Sequence, residues 1–277
     1  LPLMAICAIC VTQTISQPIS QSVASRYPAL GAYSLNYVDL YSTRNNAAAL
    51  AELKYISLGV YGERRFLQNQ LNLYTASIGG KINKIGNFAF HGNYYGFSLF
   101  NQMQLSLAYG LKVSNKIDVG AQFNYHSLNQ GKGYGSASSI NASVGAIFHL
   151  TDKIHAGINI YNPGGSRWNK IKDEKIPSQY TFGMGYEVSD KLFISSEIVK
   201  EENLPISVNA GIEYHFIKQF FGRVGVATAT SNTFAAVGFV LPNFRVDISA
   251  SYHPQLGFSP GILLLFNLNK KTYSEKQ

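Results

Sequence analysis

The chain has 277 residues, with 23 Lys and Arg against 15 Asp and Glu and a formal net charge of +8. Charged residues make up only 14%, well below the roughly 25% of an ordinary soluble domain. Beyond the N-terminus no run approaches the roughly 18 apolar residues of a membrane helix. No basic stripe with interleaved aromatics marks a nucleic-acid surface, so no nucleic-acid partner is expected. A bilayer could still be crossed by a closed barrel, whose backbone groups all pair internally.

Residues 1–11 form an apolar run followed by TQTISQ, which reads as the core and cleavage region of a secretory signal over 1–20. Cys7 and Cys10 form a CxxC inside that run. Without a βαβ context or a second Cys/His pair, neither a redox nor a metal role is expected. Residues 21–53 differ from everything after them. Their core, 25–53, is rich in Ala, Leu, Tyr and Asn and lacks two-residue alternation. A plug packed inside a barrel or across its mouth is expected there.

From 54 to 268 the pattern is short alternating runs between turn residues. Fourteen strands are predicted: 54–64, 69–82, 87–96, 102–113, 117–128, 137–150, 153–162, 178–188, 191–199, 206–216, 220–228, 232–241, 243–253 and 260–268. Most exceed the roughly 5–6 residues usual in soluble sheets. They suit the roughly 9–11 that a tilted strand needs to cross a bilayer. In 244–253, Phe244, Val246, Ile248, Ala250 and Tyr252 share one face, and Arg245, Asp247, Ser249, Ser251 and His253 the other. The runs at 103–112, 117–126 and 206–215 alternate as cleanly.

Alternate connections differ in length. Tiny turns are expected at 83–86, 114–116, 151–153, 189–191, 217–219 and 242–243, and mostly longer loops at 65–69, 97–101, 129–136, 163–177, 201–205 and 255–259. A membrane barrel with short periplasmic turns and longer outer loops has this form. Tyr61, Tyr94, Tyr109, Tyr125, Tyr161 and Tyr252 at strand ends would serve as an interfacial girdle. The expected fold is therefore all-β: a 14-stranded antiparallel transmembrane barrel of the outer membrane, with an N-terminal plug and a polar tail at 269–277.

The stretch ALGAYSLNYVDLYSTRNNAAALA resembles the N-terminal motif of the FadL-like outer-membrane superfamily. That superfamily includes long-chain fatty-acid transporters and the PorV/PorQ-type proteins of the Bacteroidota type IX secretion system. Leu30, Gly31, Asp39, Asn46 and Leu50 fill the motif's positions, while its Pro and second-half Gly are both Ala here. The last strand, SPGILLLFNL, resembles the C-terminal signal read by the outer-membrane insertion machinery, with Ser259, Gly261, Leu264 and Phe266 at matching places. The resemblance implies a fourteen-stranded barrel in the outer membrane of a Gram-negative, Bacteroidota-like bacterium.

The six histidines, His91, His126, His149, His155, His215 and His253, all fall on expected inward faces. Satisfaction by Asp118, Glu187, Glu213 or Asp247 is the expectation, with no metal or other cofactor. No nucleophile-elbow pattern occurs, and no catalytic residue or enzyme activity is expected. Lys112, Glu187, Glu213, Arg223, Arg245 and Asp247, with Glu197, are expected to form a hydrogen-bonded lumen network, because unpaired charges there would be costly. Gly120, Gly183, Gly185, Gly211, Gly225 and Gly238 would let the plug approach the wall. Trp168, in the longest loop, is read as an interfacial anchor or a partner contact.

Two roles of different class follow. The preferred one is a non-catalytic accessory subunit of the PorV/PorQ kind, docking other outer-membrane or periplasmic proteins amid outer-membrane lipid. The alternative is a passive transporter of a hydrophobic small molecule such as a fatty acid.

Overall fold

The alternation from residue 54 onward gives each strand one apolar and one polar face, and the strands pair in sequence into a cylinder. The computed structural model describes residues 31–81, 86–131, 135–169, 174–229 and 231–268. The expected signal segment, Cys7, Cys10, Leu30 and the 269–277 tail lie outside the described residues.

Among the described residues there are fourteen strands: β1 (Ile56–Arg64), β2 (Asn72–Lys81), β3 (Asn87–Phe97), β4 (Phe100–Ser114), β5 (Ile117–Asn129), β6 (Ser136–His149), β7 (Ile154–Tyr161), β8 (Gln179–Ser189), β9 (Leu192–Glu201), β10 (Ser207–Ile217), β11 (Phe220–Ala227), β12 (Asn232–Val240), β13 (Phe244–His253) and β14 (Gly257–Leu268). Each pairs antiparallel with its sequence neighbours, and β1 pairs with β14 to close the barrel. Closure leaves no unpaired sheet edge. Ile56 sits opposite Leu268, so both ends of the barrel reach the same rim, where the turns after β4, β8 and β10 are tight.

The two faces are inverted relative to a water-soluble barrel. Outside lie Val60, Ile78, Phe90, Leu107, Phe123, Ile140, Val144, Ile212 and Ile248, all exposed. Inside, Asn124, Asp118, Glu187, Glu213, Arg223 and Asp247 are buried. An apolar exterior and a polar, hydrogen-bonded interior are the arrangement of a barrel solvated by acyl chains.

Three details depart from expectation. The connection expected at 97–101 is a tight turn, because Phe97 already pairs with Phe100 and the strands continue to it. The connections after β1, β5, β7 and β9 are longer than the tight turns after β4, β8 and β10 at the other rim, as expected, with that after β7 the longest. Tyr61 and Tyr161 point inward, where the Tyr61 hydroxyl donates to Glu63 Oε2 at 2.7 Å and Asn141 Nδ2 donates to the Tyr161 hydroxyl at 2.9 Å. Tyr94, Tyr125 and Tyr252 do face outward. Both faces of β14 are apolar: Ile262 and Phe266 are exposed, while Leu263 and Leu265 are buried against the plug.

Candidate functional site: the plugged lumen

Residues 31–53 thread the interior near the tight-turn rim. A short 3-10 turn at Ser42–Arg44 and a 3-10 helix at Ala47–Glu52 give the segment its shape. Asn46 starts the helix in the usual capping manner, its side-chain oxygen accepting from Ala48 N at 3.0 Å. Its amide nitrogen donates to the Ile158 and Ala146 carbonyls of the wall. One side chain thus shapes the plug and fastens it to β6 and β7.

The wall makes room through glycine. A Cβ at Gly120 would overlap the Ala47–Ala48 backbone, one at Gly145 would overlap Asn46, and one at Gly183 would overlap the Tyr33 ring. Leu50 packs 2.6 Å from where a Gly110 Cβ would stand. In this chain the small residues that permit close approach are therefore on the barrel, facing a helix that carries Ala at the motif's Pro and Gly positions. Gly225 and Gly238 serve another purpose: they lie beneath the lumen aromatics Phe234 and Phe221, not beneath the plug.

Asp39 is the plug's electrostatic anchor. Its Oδ1 accepts from the backbone nitrogens of Tyr41 and Ser42 at 2.9 and 2.7 Å, closing a tight turn. Its Oδ2 accepts from Arg245 Nη2 at 2.7 Å, with Arg223 Nη2 4.0 Å away. Burial opposes the Asp39 charge, but Arg245 and Arg223 prevail and hold the carboxyl below the usual range. Asp247 bridges the two arginines, 3.1 Å from Arg223 Nη1 and 2.9 Å from Arg245 Nη2, while Glu213 accepts from Arg223 Nε at 2.6 Å. Arg223 also lies over the Phe221 ring at 4.5 Å.

The expected lumen residues thus divide into four places, one of them Glu197, which accepts from Asn209 Nδ2 at 2.9 Å and from the Tyr33 hydroxyl of the plug at 3.4 Å. Glu213, Arg223, Arg245 and Asp247 meet in one cluster, joined by Asp39. Glu187 stands apart and accepts from the plug backbone at Leu35 and Asn36, at 2.7 and 3.1 Å. Lys112 lies at the rim, where it donates to Glu52 of the plug at 2.7 Å. Of the remaining motif positions, Gly31 is buried in a left-handed conformation (φ 87°), and Leu50 is fully buried with its carbonyl accepting from Asn87. In the last strand, Ser259 and Gly261 face inward, with Ser259 Oγ accepting from Phe66 N at 2.9 Å. Leu264 and Phe266 lie on the outward face, opposite Val246 and Phe244.

Two features beyond the plug were not read from the sequence. A ladder of amides crosses the wall: Arg44 of the plug donates to Asn93, Asn93 to Gln104, Gln104 to Asn124, and Asn124 to Asn141. It ends at Tyr161, whose hydroxyl lies 3.0 Å from His126 Nε2. Amides that supply both donor and acceptor can fill a polar interior without net charge. Beside it, Leu73, Ala89, Ala108, Leu263 and Leu265 form an inward-facing apolar sector with Tyr61, against which Leu40, Tyr41 and Leu50 pack. At the opposite end, Trp168 is only 9% exposed and is packed with Leu128, Ala137, Tyr161 and Ile176. This corrects its expected place in the interface: it fills the inside of the mouth.

No protein-family model and no curated protein matches the sequence. Among solved structures, the "CymD monoaromatic hydrocarbon channel" aligns with 14% identity over 88% of this chain and 95% of its own, with a TM-score of 0.60. The Ralstonia pickettii toluene transporter TbuX aligns at 13% identity over 87% and 96%, with a TM-score of 0.58. A Pseudomonas aeruginosa FadL homologue does so at 12% over 90% and 96%, also at 0.58. At such identities the likeness is one of fold: the chain has the closed, fourteen-stranded architecture of the FadL-type outer-membrane barrels.

Proposed function

We propose that the protein is a passive conduit for small hydrophobic molecules across the outer membrane of a Gram-negative bacterium. The observation that carries this reading is the apolar lumen sector of Leu73, Ala89, Ala108, Leu263 and Leu265 in an otherwise polar interior. With the plug in place the sector packs Leu40, Tyr41 and Leu50; with the plug displaced it would offer an apolar surface inside the lumen. The sector is covered by the plug, so passage requires displacement of the 31–53 segment, and the ion pair at Asp39 resists that displacement. The likeness to structures named as hydrocarbon channels and toluene transporters supports the same class of cargo.

Uptake of toluene or a long-chain fatty acid into proteoliposomes tests it. Uptake above that of protein-free vesicles, lowered by Leu263→Glu, is the expected result. Equal uptake with and without protein would overturn the reading.

A second reading is an accessory subunit of the PorV/PorQ kind in Bacteroidota protein secretion. It is favoured by the scarcity of long loops at the mouth, which leaves no extended platform for capturing ligand. Purification in mild detergent separates the two: a stoichiometric protein partner and no bound lipid would favour the accessory role.

A further inference from the structure

At the tight-turn rim, plug and wall bring together Glu52, Asp118 and His149, one ligand atom of each lying within 4.8 Å of the others. Among the described residues no other three His, Asp or Glu side chains bring ligand atoms this close together. His149 Nε2 lies 2.9 Å from Asp118 Oδ2 and 3.9 Å from Glu52 Oε1. Ligands on a tetrahedral zinc ion stand about 3.3 Å apart, within that range. Asp118 is fully buried, and its second oxygen, Oδ1, has no hydrogen-bond partner among the described residues.

The surroundings of His149 suit a ligand. Its Nδ1 lies 2.9 Å from His155 Nδ1, and His155 Nε2 lies 3.6 Å from Glu187 Oε1. With a metal ion on His149 Nε2, its Nδ1–H would donate to His155 Nδ1, and His155 Nε2–H would point to Glu187. A ligating histidine commonly donates its other ring hydrogen in this way.

The geometry points to a divalent-cation site suited to Zn²⁺, formed by Glu52, Asp118 and His149 and tying the end of the plug to β5 and β6. Lys112 now donates to Glu52 and is 43% exposed, free to swing outward when a cation takes its place. The site is independent of what passes through the lumen.

Titration of the purified, metal-stripped full chain in detergent with Co²⁺, followed by Zn²⁺ competition, tests it through visible absorption. One equivalent is expected to bind and be displaced by Zn²⁺. His149→Ala is expected to abolish binding, and His155→Phe to weaken it about 10–100-fold. Lys112→Gln, which removes an exposed competitor and leaves the barrel intact, is expected to tighten it. Bound metal is also expected to slow proteolysis within 46–53. Absence of binding in both the parent chain and Lys112→Gln, or binding unchanged by His149→Ala, would overturn the assignment.

Discussion

Arg245 of β13 donates through Nη2 to Asp39 Oδ2 at 2.7 Å, an ion pair that crosses the boundary between wall and plug. Both side chains are 12% exposed, so water screens the pair little. Removing one partner of a buried pair costs about 3–5 kcal/mol, since the other charge is left without compensation. Arg223 remains within 4.0 Å of Asp39, which favours the lower end of that range.

Arg245→Ala is therefore expected to loosen the plug while the barrel stays closed. Limited proteolysis would show faster cleavage within 31–53, with heat-modifiable gel mobility retained. Asp39→Asn should loosen it further, because it leaves two arginines facing a neutral amide and weakens the turn at Tyr41 and Ser42.

Acid should act on the same anchor. The Asp39 carboxyl is held below its ordinary value despite burial, by Arg245 and then Arg223. A group lowered on folding contributes stability above its unfolded pKa of about 3.9, and the contribution is lost as pH falls through the folded value. Plug protection is thus expected to be flat from neutral pH down to about 5 and to decline only below about 4. Hydrogen exchange at the Tyr41 and Ser42 amides would measure it.

Glycine positions under the plug should tolerate nothing larger. Gly183→Val drives methyl groups into the Tyr33 ring and Gly120→Val drives them into the Ala47–Ala48 backbone. Overpacking of this kind costs about 1–3 kcal/mol, more where backbone must move. Gly62→Ala, where the nearest atom is a Tyr74 ring carbon at 3.8 Å, is the neutral control. Denaturant midpoints in vesicles would rank the three, with Gly62→Ala unchanged.

The barrel was legible in the sequence because its inside and outside have opposite polarity, and a period of two exposes that directly. Phe244 to His253 and Ile117 to His126 show it without exception. Where the plug touches the wall the rule fails: Leu263 and Leu265 face inward because their solvent is Leu40 and Tyr41, not water. The strand-end position of Tyr61 and Tyr161 suggested a girdle, yet each has a polar partner inside. Asp39 and Arg245 were each legible as important, but their pairing spans 206 positions and leaves no local signal. The amide ladder was equally hidden, since Asn and Gln on an inward face do not announce their partners.

Trp168 is the sole tryptophan, so tryptophan emission, excited selectively over the 18 tyrosines, reports the mouth alone. Its packing against Leu128, Tyr161 and Ile176 predicts blue-shifted emission that lipid-attached quenchers do not reach. Trp168→Ala should cost about 3–5 kcal/mol. Under the conduit reading, toluene added to the protein should alter this emission before it enters the vesicle lumen.

The barrel's place in a bilayer rests on the direction in which the strands present their side chains. Single cysteines placed in turn at 246–250, in a chain lacking Cys7 and Cys10, can carry a fluorophore in vesicles doped with a lipid-attached quencher. The account predicts strong quenching at Val246, Ile248 and Ala250 and little at Asp247 and Ser249. Quenching confined to Asp247 and Ser249, or uniform along the strand, would contradict it.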